Sequence, residues 1–356
     1  MLYAQADWDS ARLFYALVLY KLDDKQAALR ELDYLEGRPL SADQRVQANA
    51  YRNQFAKEGV RSVDESGFTG RAVLGARYDD NAGNALTDAV LANNSQDDFA
   101  AFAQGAVRYI GDLNESGDWR YSASLNGQTM RHETFSNSDY DAIGGRIAIM
   151  GDVGDLNLDI SGEAAQIYIS GGKYLTQFGP RLTLTKDVNS DTAIFASGAY
   201  YDQDYDDLSN TAGETLRSGD KYILTLGARS QISPATMLAG SVLYENKDAQ
   251  NPAFAYDGFR INANMVHDFD SGLYAKLRGT YRNLSYDAIG RNDDHFGGRA
   301  GLGASLSAIK DWMGMDRGNL ESVYLEGAVD YFDRNSNIAT FEYQNFGTEI
   351  RLIWDF

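Results

Sequence analysis

The segment from Phe341 to Phe356 constrains the fold most, because it alternates large apolar residues with polar ones. One face of such a strand carries Phe346, Thr348, Ile350, Leu352, Trp354 and Phe356, and the other carries Glu349, Arg351 and Asp355. Since successive strand side chains point to opposite sides, one face suits lipid and the other water. The pattern, which ends on an aromatic residue, predicts the closing strand of a bacterial outer-membrane barrel rather than a strand of a soluble sandwich.

The composition agrees with many strands joined by turns, since the 356 residues include 23 Tyr, 16 Phe, 35 Gly and only 4 Pro. No segment approaches the roughly 18 to 20 uninterrupted apolar residues that a spanning helix needs, and the mean hydropathy is −0.42. A helical membrane protein is therefore excluded. A barrel is not, because only every second strand residue has to face lipid.

The formal net charge is −19, from 51 Asp and Glu against 32 Lys and Arg. Binding phosphates requires a basic face, so nucleic acid is not expected as a partner. The absence of cysteine fits an oxidising envelope compartment without disulfides. Met1 is followed by neither a basic start nor a small-residue cleavage site, so we expect that an export signal was removed or that the gene product begins earlier.

Residues 1 to 60 are predicted to form a periplasmic helical segment, because their apolar residues recur three and four positions apart. Asp23-Asp24 separates the first two helices, and Gly37 with Pro39 ends the second. Ser41 and Gln44 form a capping box for a third helix, which ends at Gly59.

The order of small and apolar residues in this segment resembles a tetratricopeptide unit, as given by Ala16, Asp23-Asp24, Ala28, Leu32 and Leu35. Such repeats need about three copies to be stable. We therefore expect either that further copies precede Met1 or that the hairpin packs against another element. A generic helical hairpin is the alternative interpretation.

From Ser66 onward the period of apolar residues changes to two, and residues 61 to 356 are predicted to form the barrel. We count about fourteen strands, at 66–78, 98–110, 118–132, 139–150, 156–169, 173–186, 192–202, 219–231, 235–246, 257–268, 273–286, 296–308, 320–332 and 340–356. Pro180 lies inside the sixth segment and cannot donate to a ladder, so we expect a bend or bulge there.

The predicted connections alternate between long and short, as expected for external loops and periplasmic turns. Long connections are 79–97, 201–218 and 246–256, and short ones are 111–117, 151–155, 187–191, 232–235 and 268–272. This parity places the helical segment and Phe356 on the periplasmic side. The turn from Ile309 to Asn319 is an exception, since Trp312, Met313 and Met315 make it longer and more apolar. We expect it to pack on the helical segment or to enter the membrane interface.

A tetratricopeptide-like segment followed by a fourteen-strand barrel resembles the surface lipoprotein assembly modifier (Slam) family. The first strand closes with Tyr78-Asp79-Asp80-Asn81 and then Asn84-Ala85, similar to the run at the first barrel strand of that family. The helical stretch from Ala11 to Phe55 resembles the family's last repeat. The resemblance implies a translocator that helps lipoproteins or secreted binding proteins reach the cell surface. Only about one repeat is present where the family has a full repeat domain.

No catalytic, cofactor or metal site is predicted, and we expect a protein that is not an enzyme. The histidines, His132, His267 and His295, lie on different segments, whereas metal binding or nucleophile activation would need them adjacent. Several loop carboxylates offer oxygen ligands of the kind that calcium prefers, namely those of Asp79, Asp80, Asp202, Asp204, Asp206 and Asp207. Their spacing matches no defined calcium loop, so a solvated acidic loop is the favoured interpretation.

Charged residues on the wet faces of the closing strands are the candidate lumen residues. They are Arg260, Lys276, Arg278, Arg282, Arg299 and Arg351, against Glu326, Asp330 and Glu349. In one interpretation they pair with one another and fill the barrel. In the other they form a charged wall that orients a passing chain or solute. Charges of both signs on neighbouring strands favour pairing.

The predicted fold is mainly β: a transmembrane antiparallel barrel of about 14 strands in the bacterial outer membrane, with a short N-terminal helical, tetratricopeptide-like segment. The expected partners are outer-membrane lipid, a client lipoprotein or secreted protein, and the barrel-assembly machinery. We interpret the outer face of the last strand as the signal for that machinery, through Ile350, Leu352, Trp354 and Phe356.

Three functional hypotheses follow from this fold. In the first, the helices hold a client and the barrel passes it outward, with opening between the first and last strands exposing edges for client strands. In the second, the lumen itself conducts, as in a passive or polysaccharide-exporting porin. A structural or adhesive barrel is the third, and it does not account for the helical segment. The sequence names neither the client nor the state of the lumen.

Overall fold

The structure is a computed structural model, and it describes residues 67–82, 97–114, 118–208, 212–269, 272–313 and 322–356. Ahead of these it describes nine helical residues: Leu13, Ala16, Ala28, Leu32, Leu35, Ala48, Asn49, Tyr51 and Arg52. The chain divides into two compact units, Met1–Gly67 and Phe68–Phe356.

In the second unit the alternating segments form fourteen strands. They are β1 Gly67–Asp79, β2 Asp98–Asp112, β3 Trp119–His132, β4 Tyr140–Val153, β5 Leu156–Ile169, β6 Gly172–Asp187, β7 Thr192–Tyr205, β8 Gly219–Ser233, β9 Thr236–Lys247, β10 Tyr256–Asp268, β11 Leu273–Tyr286, β12 Arg291–Ser305, β13 Val323–Ser336 and β14 Tyr343–Asp355.

These strands form one closed barrel in which sequence neighbours are also spatial neighbours, and β1 pairs with β14 to close the ring. The closing register is antiparallel and runs from Arg71 opposite Asp355 to Asp79 opposite Gly347. The predicted fourteen-strand antiparallel barrel is thus confirmed. Closure matters because it leaves no strand edge with unpaired backbone groups, which a lipid environment would not satisfy.

The largest boundary difference is at β12, which begins at Arg291 rather than at residue 296. Its first residues, Arg291 to His295, are polar or charged on both faces. The outer face has no apolar residue there, so the alternation that predicts a membrane strand is missing from the sequence. The backbone hydrogen bonds of the strand nevertheless continue through these residues.

Large apolar side chains cover the outside of the barrel. Ile147 is 69% exposed and Leu226 is 67% exposed, and similar residues occur on other strands, including Leu74, Leu125, Leu224, Leu302, Val329 and Ile350. Patches of this extent are rare on proteins that face water, where a few hundred Å² is typical. This belt is therefore a surface for lipid.

Aromatic residues flank the apolar belt at both ends of the barrel. At the end where β1 finishes, ring contacts join Tyr78 to Phe99, Tyr200 to Tyr222, Phe259 to Tyr281 and Tyr281 to Phe296. At the opposite end, Phe68 contacts Tyr109, and Trp354 contacts Phe356. Two such girdles mark the two membrane interfaces of an outer-membrane barrel.

We call the end at which β1 begins and β14 finishes the terminal end, and the opposite end the loop end. Two loop-end connections depart from the predicted alternation of lengths, because β11 and β12 are joined by only residues 287–290, and β5 and β6 by only Ser170 and Gly171. Both residues have positive φ, 50° and 77°. Such a pair suits a two-residue hairpin turn, and glycine adopts this backbone without strain.

At the terminal end, the long connection between β12 and β13 begins with a short helix, Leu306–Trp312. Its start is fixed by Ser305, whose hydroxyl accepts a hydrogen bond from the Ala308 backbone N–H at 3.2 Å. Met313 follows the helix and is 61% exposed. The predicted role of Met315 and the remainder of the turn to residue 319 lie outside the described residues.

Of the bend or bulge predicted in β6 at Pro180, the bulge does not occur at that residue. The register between β6 and β7 is the same on both sides of it, with Phe178 opposite Asp202 and Arg181 opposite Ala199, so the ladder is interrupted without a shift. The bulge lies instead near the start of β6, where the register shifts between Ile167 and Tyr168. The shift leaves Tyr174 as an extra residue, and both Tyr174 and its neighbour Leu175 are buried.

The described residues of the first unit are helical and pack together. Leu13, Ala16, Ala28, Leu32, Leu35 and Ala48 are buried in one cluster, with Tyr51 packed against it. The spacing of Ala28, Leu32 and Leu35 thus places one helical face in a core. The predicted helix boundaries and the tetratricopeptide assignment lie outside the described residues.

Within the described residues, no helix has both the length and the apolar character needed to cross a bilayer.

Candidate functional site

The inner faces of β10 to β14 carry all nine charged residues that the sequence proposes for the lumen. Arg260 lies on β10, Lys276, Arg278 and Arg282 on β11, Arg299 on β12, Glu326 and Asp330 on β13, and Glu349 and Arg351 on β14. Because these strands are consecutive around the ring, the residues lie on one wall. They form ion-pair clusters that also include residues the sequence did not propose.

Glu326 is the centre of the first cluster and is 1% exposed. Its carboxylate accepts hydrogen bonds from Lys276 Nζ at 3.0 Å and from the Tyr274 hydroxyl at 2.9 Å. Arg351 donates to the other carboxylate oxygen. Tyr274 reaches Glu326 from β11 by crossing β12 at Gly303, where a side chain would overlap the tyrosine ring.

Asp330 is the centre of the second cluster. Arg77 on β1 donates two hydrogen bonds to its carboxylate, at 2.7 and 2.8 Å, and two to Asp79, both at 2.6 Å. Arg299 lies 3.5 Å from Asp330 and also pairs with Glu349. The two clusters together hold four cations and four carboxylates, so this part of the wall is neutral.

A third cluster, around Glu245 on β9, is not neutral. The Glu245 carboxylate accepts hydrogen bonds from Arg282 at 2.6 and 2.9 Å and from Arg260 at 3.3 Å, and Lys221 Nζ lies 3.1 Å away. Three cations thus share one carboxylate. The sequence did not propose Glu245 or Lys221, although the alternation along β8 and β9 places both on inward positions.

The opposite side of the ring carries a further network that the sequence did not propose. Arg146 on β4 pairs with Asp159 at 2.5 Å, and Arg181 on β6 donates to Glu163 at 3.0 Å and to the Tyr201 hydroxyl at 2.7 Å. Tyr201 in turn donates to Glu163. Two arginines and two carboxylates are balanced here, so this network supports the wall without giving it a net charge.

Between these walls lies a cavity of about 640 Å³. Seven arginines line it, namely Arg77, Arg217, Arg260, Arg278, Arg282, Arg299 and Arg334, and the single carboxylate among its described lining residues is that of Asp330. The facing side consists of Ile167, Tyr174, Leu175 and Tyr205, from β5, β6 and β7. The cavity therefore has a basic wall and an apolar wall.

A one-turn helix, Glu214–Arg217, lies in the connection between β7 and β8 at the loop end. Arg217 lines the cavity, pairs with Glu214 at 2.7 Å and stacks on the Phe254 ring at 4.4 Å. Glu214 also accepts a hydrogen bond from the Tyr174 hydroxyl at 3.4 Å. These contacts fix the connection beside the cavity, with Arg217 as part of its lining.

The three histidines lie on different strands and are not brought together. His132 is 3.4 Å from Asp139, His267 is 2.7 Å from the Thr236 hydroxyl, and His295 lies edge-on to Phe332. Among the acidic residues proposed for calcium, Asp206 pairs with Lys173 at 2.8 Å and Asp207 accepts the Gly213 N–H at 2.9 Å. Across the described residues, no group of three or more His, Asp or Glu side chains is placed to hold a metal ion.

Polar contacts join β1 to β14 along the length of their pairing. Arg71 donates to Asp355 at 2.5 and 2.8 Å near the terminal end, and Asn345 donates to Asp79 at 2.7 Å near the loop end. Beyond the ladder, the Phe346 N–H donates to Asp80 at 2.7 Å. Arg77 adds the bond to Asp330 on β13, so the closing pair of strands is held by side chains as well as by backbone.

A closed fourteen-strand barrel with an apolar belt, two aromatic girdles and a charged interior is a transmembrane β-barrel of the outer-membrane type. Its interior is a wall of ion pairs around a basic cavity.

The barrel is similar to several solved outer-membrane structures. One is a bacterial polysaccharide outer membrane secretin, at 13% identity and a TM-score of 0.43 over 80% of this chain and 98% of that chain. A second is the CymD monoaromatic hydrocarbon channel, at 12% identity and a TM-score of 0.44 over 82% and 89%. A third is OmpT, an outer membrane protein of Vibrio cholerae, at 11% identity and a TM-score of 0.45 over 81% and 98%.

No protein-family model matches the chain, and no curated protein sequence is similar to it. Membership of the Slam family therefore stays a prediction, and the function is argued from the residues of this chain.

Proposed function

We propose that this protein is a non-enzymatic channel of the bacterial outer membrane, in which the lumen itself carries small solutes. The observation that carries the proposal is the cavity of about 640 Å³ between β5 to β7 on one side and β10 to β14 on the other. Fourteen strands enclose more space than inward side chains fill unless a plug is added. Here many of the inward charged side chains form ion pairs along the wall, so they do not extend across the lumen and the cavity stays open between the two walls.

The contacts between β1 and β14 support a lumen route over a lateral one. Lateral release requires these two strands to separate, which would break the Arg71 to Asp355 pair, the bond from Asn345 to Asp79 and the bond from Arg77 to Asp330. Arg77 and Glu349, which lie on β1 and β14, are mostly buried, so opening the seam would leave charges without their partners in a poorly hydrated wall. The lumen route leaves all of these contacts in place.

Conductance across a planar bilayer tests the channel. The full chain, refolded in detergent, should give steady openings whose size rises with salt concentration. Gly297→Trp places a large ring in the cavity and should lower the conductance, because Gly297 lines the cavity. Gly279→Trp is the matched control, since no atom lies within 4 Å of an added Cβ there and its position on β11 alternates with the inward Arg278. Folded protein without openings would overturn the proposal.

A Slam-like translocator is the second candidate function. The observation that favours it is the buried helical cluster around Leu32 and Leu35 in the first unit, which a simple channel does not need. In this function the helical segment lies in the periplasm, holds a client lipoprotein or secreted protein, and delivers it to the barrel. Outer-membrane lipid and the barrel-assembly machinery are partners in both functions.

Co-expression with exported proteins encoded beside the gene tests the translocator. Each neighbour is probed by protease on intact cells, with and without the barrel. A neighbour that becomes protease-sensitive only when the barrel is present would establish translocation and identify the client. If every neighbour behaves identically in both strains, the channel is the function that stands.

A further inference from the structure

We propose that the lumen cavity is a binding site for an organic anion with an apolar body, of the class of aryl carboxylates. The inference rests on the proposed channel function and names the solute class that the lumen would select. It is carried by the placement of arginines on one wall of the cavity and of apolar side chains on the other.

Arginines lie directly opposite one another across two strand pairs of the basic wall. Arg260 on β10 is opposite Arg282 on β11, and Arg278 on β11 is opposite Arg299 on β12. Like charges in directly opposed positions destabilise a sheet. A sequence that places two such pairs on neighbouring strands, in a chain of net charge −19, departs from a local rule of sheet stability, as sequences do at functional sites.

The carboxylates of the wall neutralise Arg299, which pairs with Glu349 and Asp330, but they do not fully neutralise the other three arginines. Arg260, Arg282 and Lys221 share Glu245. Arg278 donates to the neutral Asn264 amide oxygen at 3.1 Å and has no carboxylate within 4 Å in the described part of the chain. An incoming anion would therefore meet guanidinium groups whose charge is not fully compensated, and guanidinium binds carboxylates through two parallel hydrogen bonds.

Two polar atoms on the cavity lining point to the same conclusion. Arg260 Nε and His295 Nε2 are both buried and make no hydrogen bond among the described residues, although His295 Nε2 lies 3.9 Å from the Asp293 carboxylate. A buried donor or acceptor without a partner costs free energy, so such atoms are expected where a ligand or water completes them. Both atoms belong to residues of the basic wall.

The apolar wall selects the body of the ligand. Ile167, Leu175 and Tyr205 pack with Tyr174, and the Tyr174 and Tyr205 rings lie edge to face at 5.3 Å. The bulge in β6 turns both Tyr174 and Leu175 inward, so it adds an aromatic ring to the lumen that a regular strand would have turned to lipid. A small inorganic anion gains no packing contacts from this surface, whereas an aryl ring packs against it.

The size of the cavity fits this class. Sites for small organic ligands typically have volumes of about 300 to 1,000 Å³ and combine an apolar lining with a few polar groups that fix orientation. A cavity of about 640 Å³ lies within that range. Arg278, whose guanidinium has no carboxylate partner among the described residues, would hold the carboxylate, and the ring would lie against the apolar wall at Tyr174.

Equilibrium binding of 2-naphthoate to the full refolded chain in detergent tests the proposal, with the neutral 2-naphthalenemethanol, chloride and succinate as comparison ligands. Naphthoate should bind, the alcohol should bind at least tenfold more weakly, and chloride and succinate should compete poorly. Arg278→Gln should weaken naphthoate binding by about tenfold, as expected for the loss of one charge-assisted hydrogen bond. Tyr174→Ser should weaken naphthoate more than succinate.

Arg71→Gln is the matched control for charge, because Arg71 pairs with Asp355 near the terminal end and does not line the cavity. It should leave binding unchanged. Equal binding of naphthoate and its alcohol would overturn the anion site, and equal binding of naphthoate and succinate would overturn the apolar part. If a variant does not fold, these ligand comparisons on the unmodified chain decide the question. Steady conductance without naphthoate binding would overturn the anion site and leave the channel function standing. Naphthoate binding without conductance would overturn the channel function and leave the anion site standing.

Discussion

Arg77 on β1 pairs with Asp330 on β13 by passing over the strand that separates them. The intervening residue on β14 is Gly347, which lies opposite both Asp79 and Asp330. A Cβ at Gly347 would overlap the Arg77 guanidinium and come within 3.0 Å of Asp330 Oδ2. The glycine thus lets one ion pair connect three strands across the point where the barrel closes.

Gly347→Ala is expected to break this connection. The added methyl group displaces the guanidinium, so the two hydrogen bonds to Asp330 are lost and the free energy of unfolding falls by about 1 to 3 kcal/mol. Gly297→Ala is the control, because the nearest atom to its added Cβ is 3.7 Å away. Reversible urea unfolding of the refolded barrel measures both variants.

A double-mutant cycle separates this explanation from simple crowding. In a protein that already carries Asp330→Asn, the pair is weakened, so Gly347→Ala should cost less than in the unmodified protein. If the cost is the same in both backgrounds, the methyl group acts through the backbone, and the connection across Gly347 does not contribute.

Glu326→Gln is expected to destabilise the barrel far more than Asp355→Asn. Glu326 is 1% exposed and pairs with Lys276 and Arg351, so its loss leaves Lys276 without a carboxylate among the described residues and Arg351 with only Glu349, at a cost of about 2 to 4 kcal/mol. Asp355 and its partner Arg71 are 37% and 57% exposed in their side chains, so water replaces that pair at a cost below about 1 kcal/mol. The temperature at which each variant loses its compact migration on a semi-native gel compares them. Equal shifts would show that the lumen hydrates Glu326 as well as solvent does.

The sequence predicts the strands and their faces well because alternation is a local property. Ile350 and Arg351 point to opposite sides whichever strand lies beside them, and Ile350 is indeed 55% exposed on the outer face. The start of β12 was predicted five residues too late for the same reason, because the residues from Arg291 to His295 do not alternate between apolar and polar. The inward position of Tyr174 was also not predictable, because a one-residue bulge reads in sequence as two neighbouring apolar residues.

The clusters of the lumen depend on register, which local pattern does not fix. Arg282 reaches Glu245 across β10 only because of how three strands align. The sequence therefore proposed Arg282 and not its partner. A glycine at an inward position could have predicted such contacts, because a side chain from a neighbouring strand crosses the barrel wall at both Gly347 and Gly303.

A covalent link between β1 and β14 should leave a channel working. Ala76 and Ile350 are register partners on the outer face, and the chain has no cysteine of its own, so Ala76→Cys with Ile350→Cys gives a single defined link. The oxidised barrel should show the same conductance as the reduced one, because the lumen route does not separate the strands. Single-cysteine variants under the same oxidation are the controls. If oxidation abolishes client display in cells while conductance persists, lateral opening is part of the function.

Phe356→Ala is expected to reduce the amount of assembled barrel in cells by several-fold while changing refolding in detergent little. Phe356 ends the outer face of β14, its backbone exchanges hydrogen bonds with Gly70 at 2.6 and 2.9 Å, and its ring occupies the space beside that glycine. The backbone bonds survive the substitution, so the folded barrel loses only a lipid-facing ring that is 54% exposed. Recognition by the assembly machinery, in contrast, would lose the aromatic side chain that directly follows β14. Phe346→Ala is the matched control, because Phe346 lies on the same face and is 43% exposed but is distant from the end of the strand.

Heat-modifiable protein in isolated outer membranes is compared with the yield of refolding in vitro. Equal losses for both variants in both measurements would show that Phe356 contributes only to packing at the membrane interface and is not part of an assembly signal.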